Sequence, residues 1–125
     1  MASRHFDERR RFNRIEVEAA YTAVRVQRVS RMKMQVLDGH AYDLSEGGLR
    51  LETDEPLAPG EHVALSVDLP GERSVFASGR VVRVFDADED PGPRRAAIEF
   101  RHFLTGQDRS RLQGYLRQSA TRRAA

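Results

Sequence analysis

The alternation of apolar and polar residues predicts a mainly β chain, a small antiparallel barrel or sandwich closed by one C-terminal helix. Two-residue periodicity recurs in short segments along most of the 125 residues. Glycine and proline turn signals separate those segments, and only the last stretch changes to a helical period. The length and the 39% apolar content suit one domain, large enough to bury about two-thirds of the surface its unfolded chain would expose.

The elements follow in order. Residues 1–14 hold no sustained apolar period and read as a flexible basic arm, with Phe6 and Phe12 as docking points. Ala20, Thr22, Val24 and Val26 alternate with Tyr21, Ala23, Arg25 and Gln27, as in a half-buried strand. Met32, Met34 and Val36 alternate with Lys33 and Gln35, and Asp38-Gly39 reads as a turn leading to a short strand, His40 to Leu44. Leu49 and Leu51 face one side of the next strand. Pro56 and Pro59-Gly60 mark a loop, after which Val63, Leu65, Val67 and Leu69 form the clearest alternation.

Pro70-Gly71-Glu72 turns the chain into a long strand, Val75 to Val84, in which Gly79 permits a bulge or a close approach. Asp86–Asp90 with Pro91-Gly92-Pro93 is a solvated loop, and Ala96 to Phe100 is the last strand. Thr105 and Asp108 have the spacing of a capping box. Leu112, Tyr115 and Leu116 then line one helical face, which Gly114 weakens. The expected organisation is an arm at 1–14, a barrel at 15–104, a helix at 105–119 and a disordered tail at 120–125.

Several chemistries are disfavoured at once. The chain has no cysteine, which removes disulfides, thiolate metal sites and cysteine nucleophiles. His5, His40, His62 and His102 lack metal-ligand spacing, and Ser45 lacks a nucleophile elbow. No apolar run reaches the roughly 20 residues that span a bilayer, and the charged N-terminus is unlike a signal peptide, so a cytoplasmic location without membrane insertion is expected. The tyrosines and phenylalanines in strand patterns (Tyr21, Tyr42, Phe76, Phe85, Phe100, Phe103) read as core rather than as stacking platforms. So do Met32 and Met34, with a partner surface as the other reading.

Two segments remain. Arg10-Arg11-Phe12-Asn13-Arg14 places planar cations on the arm, and Asp43-Leu44-Ser45-Glu46-Gly47-Gly48 places a carboxylate, a hydroxyl and a glycine turn at a strand end. Arginine pairs bidentately with phosphate, reaches guanine O6 and N7 together and stacks on bases. A carboxylate accepts guanine N–H groups, and glycine lets backbone approach closely or take a positive φ. Alone, the first segment describes a solvated arm and the second an ordinary turn. Together, in this order on a predicted barrel, they resemble the RxxxR and [D/N]xSxxG signature of PilZ domains. The resemblance runs on through Gly79-Arg80-Val81-Val82-Arg83 and Ile98-Glu99-Phe100.

That resemblance implies a six-stranded antiparallel PilZ-type β-barrel with a flexible arm and a short C-terminal α-helix. It also implies a non-enzymatic receptor for cyclic di-GMP, needing no cofactor, that orders its arm around the nucleotide. The signal would pass through contact with an unidentified downstream protein in motility, biofilm or polysaccharide control. Arg10 and Arg14 fall on RxxxR, and Asp43, Ser45 and Gly48 on DxSxxG. Arg9 and Arg11 are additional candidates, and Arg83 is an accessory one. A basic residue before RxxxR, here Arg9, favours an intercalated ligand dimer in this family. The protein is expected to be a monomer or weak dimer.

Two other functions fit parts of the sequence. A nucleic-acid-binding small barrel would use the basic arm, but its cations should interleave with aromatics on one strand face. A ligand-independent PilZ-like interaction scaffold would carry the motifs without using them.

Overall fold

The computed structural model describes residues 15–16, 22–30, 32–71, 73–85 and 94–124. Within them lie β1 (Ile15–Glu16), β2 (Ala23–Ser30), β3 (Lys33–Leu44), β4 (Gly48–Thr53), β5 (His62–Val67), β6 (Val75–Phe85), β7 (Arg94–Phe103) and one helix, α1 (Gly106–Ala124). Every pairing is antiparallel. The sheet order is β1-β3-β2-β5-β6-β7-β4, and β4 pairs back onto β3, closing six strands into a barrel. β1 lies against the far end of β3, with Ile15 opposite Leu44 and Glu16 opposite Asp43.

Alternation fills the interior. Val24, Val26, Leu49, Leu51, Val63, Leu65, Val67, Val75, Val81 and Ile98 point inward and are buried, which is how a small barrel packs its lumen with branched side chains. Leu57, Leu112 and Leu116 join the same core. α1 contacts β1, β6 and β7.

The start of α1 is locked by the expected capping box. Thr105 donates its N–H and hydroxyl to Asp108 Oδ2 at 2.9 and 2.7 Å, and Asp108 N–H returns a bond to Thr105 Oγ1 at 3.2 Å. The other carboxylate oxygen accepts the Phe76 N–H of β6 at 3.1 Å, tying the helix start to the barrel. Burial raises the pKa of Asp108, but the bonds from Thr105 and Phe76 and the nearby Arg111 outweigh it, leaving the group below its ordinary value.

Asp38-Gly39 is not a turn. It lies inside β3, a single strand of 12 residues, and the hairpin reverses after the Ser30–Lys33 pair, where Met32 takes a φ of 63°. Gly39 instead serves β4: a Cβ there would sit 2.4 Å from Glu52 O. A glycine required for close interstrand approach therefore carries the same dipeptide signal as a turn. Gly79 makes the other expected close approach, with Ile98 Cγ2 and Glu99 O in the space a Cβ would fill.

The aromatic and methionine expectations divide. Phe100 and Phe103 pack on the core, whereas Phe76, Met32 and Met34 are exposed. Tyr42 and Phe85 are half-buried, with their rings against arginines. The helix continues through Gly114 to Ala124, past the expected end at 119, because no proline or turn signal follows.

Candidate functional site

The site begins with two bulges. Between Ala41 and Asp43 the β3–β4 register shifts, leaving Tyr42 as an extra residue. Ala41 and Leu44 both face the core, so the insertion turns Asp43 to the outer surface. Between Val81 and Arg83 the β6–β7 register shifts in the same way around Val82. Val81 is buried in the core while Arg83 is exposed, although strict alternation would place both inside.

The registers then align one row across four strands. Asp43 lies opposite Arg50, Arg50 opposite Ala97, and Ala97 opposite Arg83. Arg50 Nε is 3.7 Å from Asp43 Oδ2. The Arg50 and Arg83 guanidinium carbons stand 5.5 and 4.8 Å from the centroid of Phe85, within cation–π range. Two planar cations thus flank a short alanine floor, beside a carboxylate. Buried Arg50 Nε has no hydrogen-bond partner among the described residues. An unmet donor of that kind is costly, and the ion-paired Asp43 Oδ2 lies beyond hydrogen-bond distance.

The motif turn forms the adjoining wall. Ser45 N–H and Oγ–H both donate to Gly48 O, at 2.9 and 3.3 Å, and Ser45 Oγ accepts the Gly47 N–H at 3.2 Å. These three bonds fix the turn locally. Gly47 O accepts the Phe100 N–H at 2.9 Å. A Cβ on Gly48 would lie 2.1 Å from Ile98 O, so this glycine permits the turn to press on β7. Gly48 is not among the glycines with positive φ.

Glu46, an unspecified position of the DxSxxG pattern, bridges the turn to α1. It hydrogen-bonds Gln113 and lies 4.0 Å from Arg109 Nε. Arg50 lies outside both motifs, although its alternation with Leu49 and Leu51 marks it as outward. Both roles depend on partners remote in sequence.

The turn, β7 and the start of α1 enclose a cleft of about 550 Å³. Ser45 to Arg50 form one side, Ala97 to Phe103 the floor, Thr105, Gly106 and Arg109 the helix end, and Val82 the β6 margin. Its volume lies within the usual range for small-molecule sites. The Arg95 guanidinium carbon is 5.4 Å from the ring centroid of Tyr42, the bulge residue, and Arg95 bonds Glu52 at 2.9 Å. Burial raises the Tyr42 phenol pKa, with Arg95 and Arg50 opposing the rise.

Asp43, Ser45, Gly48 and Arg83 therefore fall in one region, around a row completed by Arg50. Arg9, Arg10, Arg11 and Arg14 lie outside the described residues. The position of β1 is nevertheless informative, because Ile15 follows Arg14 directly in sequence and sits opposite Leu44. No cluster of metal-ligating side chains occurs among the described residues, and no described helix is long and apolar enough to cross a membrane.

Comparison with known proteins agrees with this architecture. The PilZ domain of Escherichia coli YcgR, solved with c-di-GMP, matches with a TM-score of 0.67 and 20% identity over 93% of this chain and 94% of that one. The Bacillus subtilis inhibitor of motility MotI/DgrA matches with a TM-score of 0.63 and 22% identity over 90% of this chain and 52% of its own. Escherichia coli YcgR in complex with c-di-GMP gives 0.66 and 20%, over 93% and 49%. The chain thus spans about half the length of MotI/DgrA and of YcgR. No curated protein matches it. At these identities the structural likeness speaks to the fold. The family model of the PilZ domain matches residues 8–118, from the arginine-bearing arm into α1, and the chain belongs to the PilZ domain family.

Proposed function

We propose that this protein is a non-enzymatic cyclic di-GMP receptor that folds its N-terminal arm over the cleft beside Asp43 and Arg50. The observation that carries this reading is the register of β1. Glu16 pairs with Asp43 and Ile15 with Leu44, so the chain bearing Arg10 and Arg14 enters the barrel at the strand end that bears the DxSxxG turn. Two sequence motifs separated by a whole hairpin become neighbours through one short strand.

Roles follow from chemistry. Arg10 and Arg14, with Arg9 and Arg11 beside them, supply forks for phosphate oxygens and for the guanine O6 and N7 edge. Asp43 accepts from guanine N1–H and the exocyclic amine. Arg50 and Arg83 offer planar faces and charge at the barrel surface. Ser45, Gly48 and Glu46 hold the turn in shape. The two neighbours solved with c-di-GMP are of the same fold, which supports this ligand class.

Binding in this scheme orders the arm, and the ordered arm presents a new surface to a downstream protein in the cytoplasm. Arg9 sets the stoichiometry, favouring two stacked nucleotides over one. The barrel offers less to nucleic acid where its arginines are already ion-paired: Arg95 with Glu52, Arg101 with Glu99 and Arg28 with Glu55 and Glu61.

Isothermal titration with cyclic di-GMP, using Arg10→Ala as the matched control, tests the reading. Saturable binding that the substitution abolishes is the expected result, and the molar ratio distinguishes one nucleotide from two. Absence of binding by calorimetry and by a filter assay would reject it.

A further inference from the structure

Away from the cleft, β2 and β3 continue beyond the barrel as a two-stranded ribbon. β2 pairs with β5 only as far as Gln27, opposite Ala64, and β3 pairs with β4 only from Gly39 onward. Between Lys33 and Asp38, β3 has β2 on one edge and no strand on the other among the described residues. Ala41 donates its N–H to Thr22 O, on the β2 side. Strand alternation then directs the backbone groups of Gln35 to β2 and those of Met34, Val36 and Asp38 to the open edge. The side chains there are apolar and uncovered: Met34 is 66% exposed and Val36 53%, and Met32 at the turn is 97% exposed. Such an edge is a template for another strand.

We propose that this edge pairs, antiparallel and about a two-fold axis, with the same edge of a second copy of the chain. The segment is self-complementary. With Gln35 on the axis, Met34 of each copy lies opposite Val36 of the other, and these two residues exchange both backbone hydrogen bonds. Their four side chains form one apolar strip on the outer face. Charge favours the same arrangement. The ribbon tip carries Lys33, whereas the open edge ends at Asp38, with Asp54 and Glu55 just past the end of β4, all of them exposed. Antiparallel pairing brings the basic tip of each copy to the acidic end of the other. A strand from an unrelated protein has no reason to match both the register and the charges. The pairing is short and buries less than the roughly 1,000 Å² of a stable interface, so the dimer depends on concentration. It does not depend on nucleotide binding.

The chain lacks cysteine, which makes the test clean. At the axis Gln35 faces its own copy in a non-hydrogen-bonded pair, where Cα atoms approach to about 4.5 Å, a separation a disulfide spans. Asp38 would lie roughly 20 Å from its counterpart, six strand residues away. Under mild oxidation, Gln35→Cys is expected to cross-link on the order of tenfold faster than Asp38→Cys. In sedimentation, the wild-type mass should climb from 14.2 kDa toward twice that value as concentration rises. Val36→Lys, with a native circular dichroism spectrum, should remain monomeric. A single monomeric mass for wild type, association undiminished in Val36→Lys, or equal cross-linking at positions 35 and 38 would each overturn the proposal.

Discussion

Asp43 is available at the surface because Tyr42 adds one residue to its strand, and Arg83 is available because Val82 does the same on β6. The two insertions place a carboxylate and a guanidinium in one row with Arg50 between them. If Asp43 reads guanine, Asp43→Ala should lower affinity for cyclic di-GMP and narrow its margin over cyclic di-AMP; competition binding with both nucleotides checks this. An unchanged margin would remove the guanine role. Arg50→Ala should weaken binding by about 10- to 100-fold, the value of a charge-assisted bond of about 1.5–3 kcal/mol. Its melting temperature should stay near wild type, since the buried Nε has no hydrogen-bond partner among the described residues and its ion pair with Asp43 is long, at 3.7 Å. A large loss of stability with intact affinity would make Arg50 structural.

Among the elements, the motif turn and α1 are joined to the barrel by few contacts of high consequence. Gly48→Ala must displace the backbone of Ile98, and overpacking of that kind costs about 1–3 kcal/mol; chemical denaturation reads it directly. Asp108 holds the Thr105 N–H and hydroxyl as well as the Phe76 N–H. Asp108→Ala should cost about 2 kcal/mol, combining a lost cap with an unpaired amide. Because folding lowers the pKa of Asp108 from 3.8, its stabilisation is present above that value and disappears as pH falls through the folded value. The melting-temperature gap between wild type and Asp108→Asn should therefore be widest near neutrality and shrink in acid. A gap that does not change with pH would mean the charge is irrelevant to the cap.

For the whole molecule, the proposed function sets the ligand at one end of a closed barrel. β1 pairs with β3 through two described residues, so a ligand that bridges Arg10 or Arg14 and the Asp43 row should protect the segment around β1 without moving the barrel. Hydrogen exchange with and without cyclic di-GMP is expected to slow amides within residues 8–20 and to leave those of β5 unchanged. Protection spread evenly over all strands would instead indicate global stabilisation by mass action.

The sequence alone determined the strand pattern, the capped helix and both motifs, because each is encoded by neighbours within a few residues. Leu49 and Leu51 face inward and Thr105 caps Asp108 for reasons visible in a short window. Tertiary structure decided whatever depends on register. Asp38-Gly39 looks like a turn until Glu52 O is found where a Cβ would be. Met32 and Met34 look like core until the ribbon is seen to outrun the barrel. Arg50 and Glu46 acquire roles only when β7 and α1 bring Ala97 and Gln113 alongside them. A bulge moves every later side chain to the opposite face, and no local pattern announces the one at Tyr42. Local chemistry wrote the motif, and the bulge at Tyr42 turned Asp43 outward.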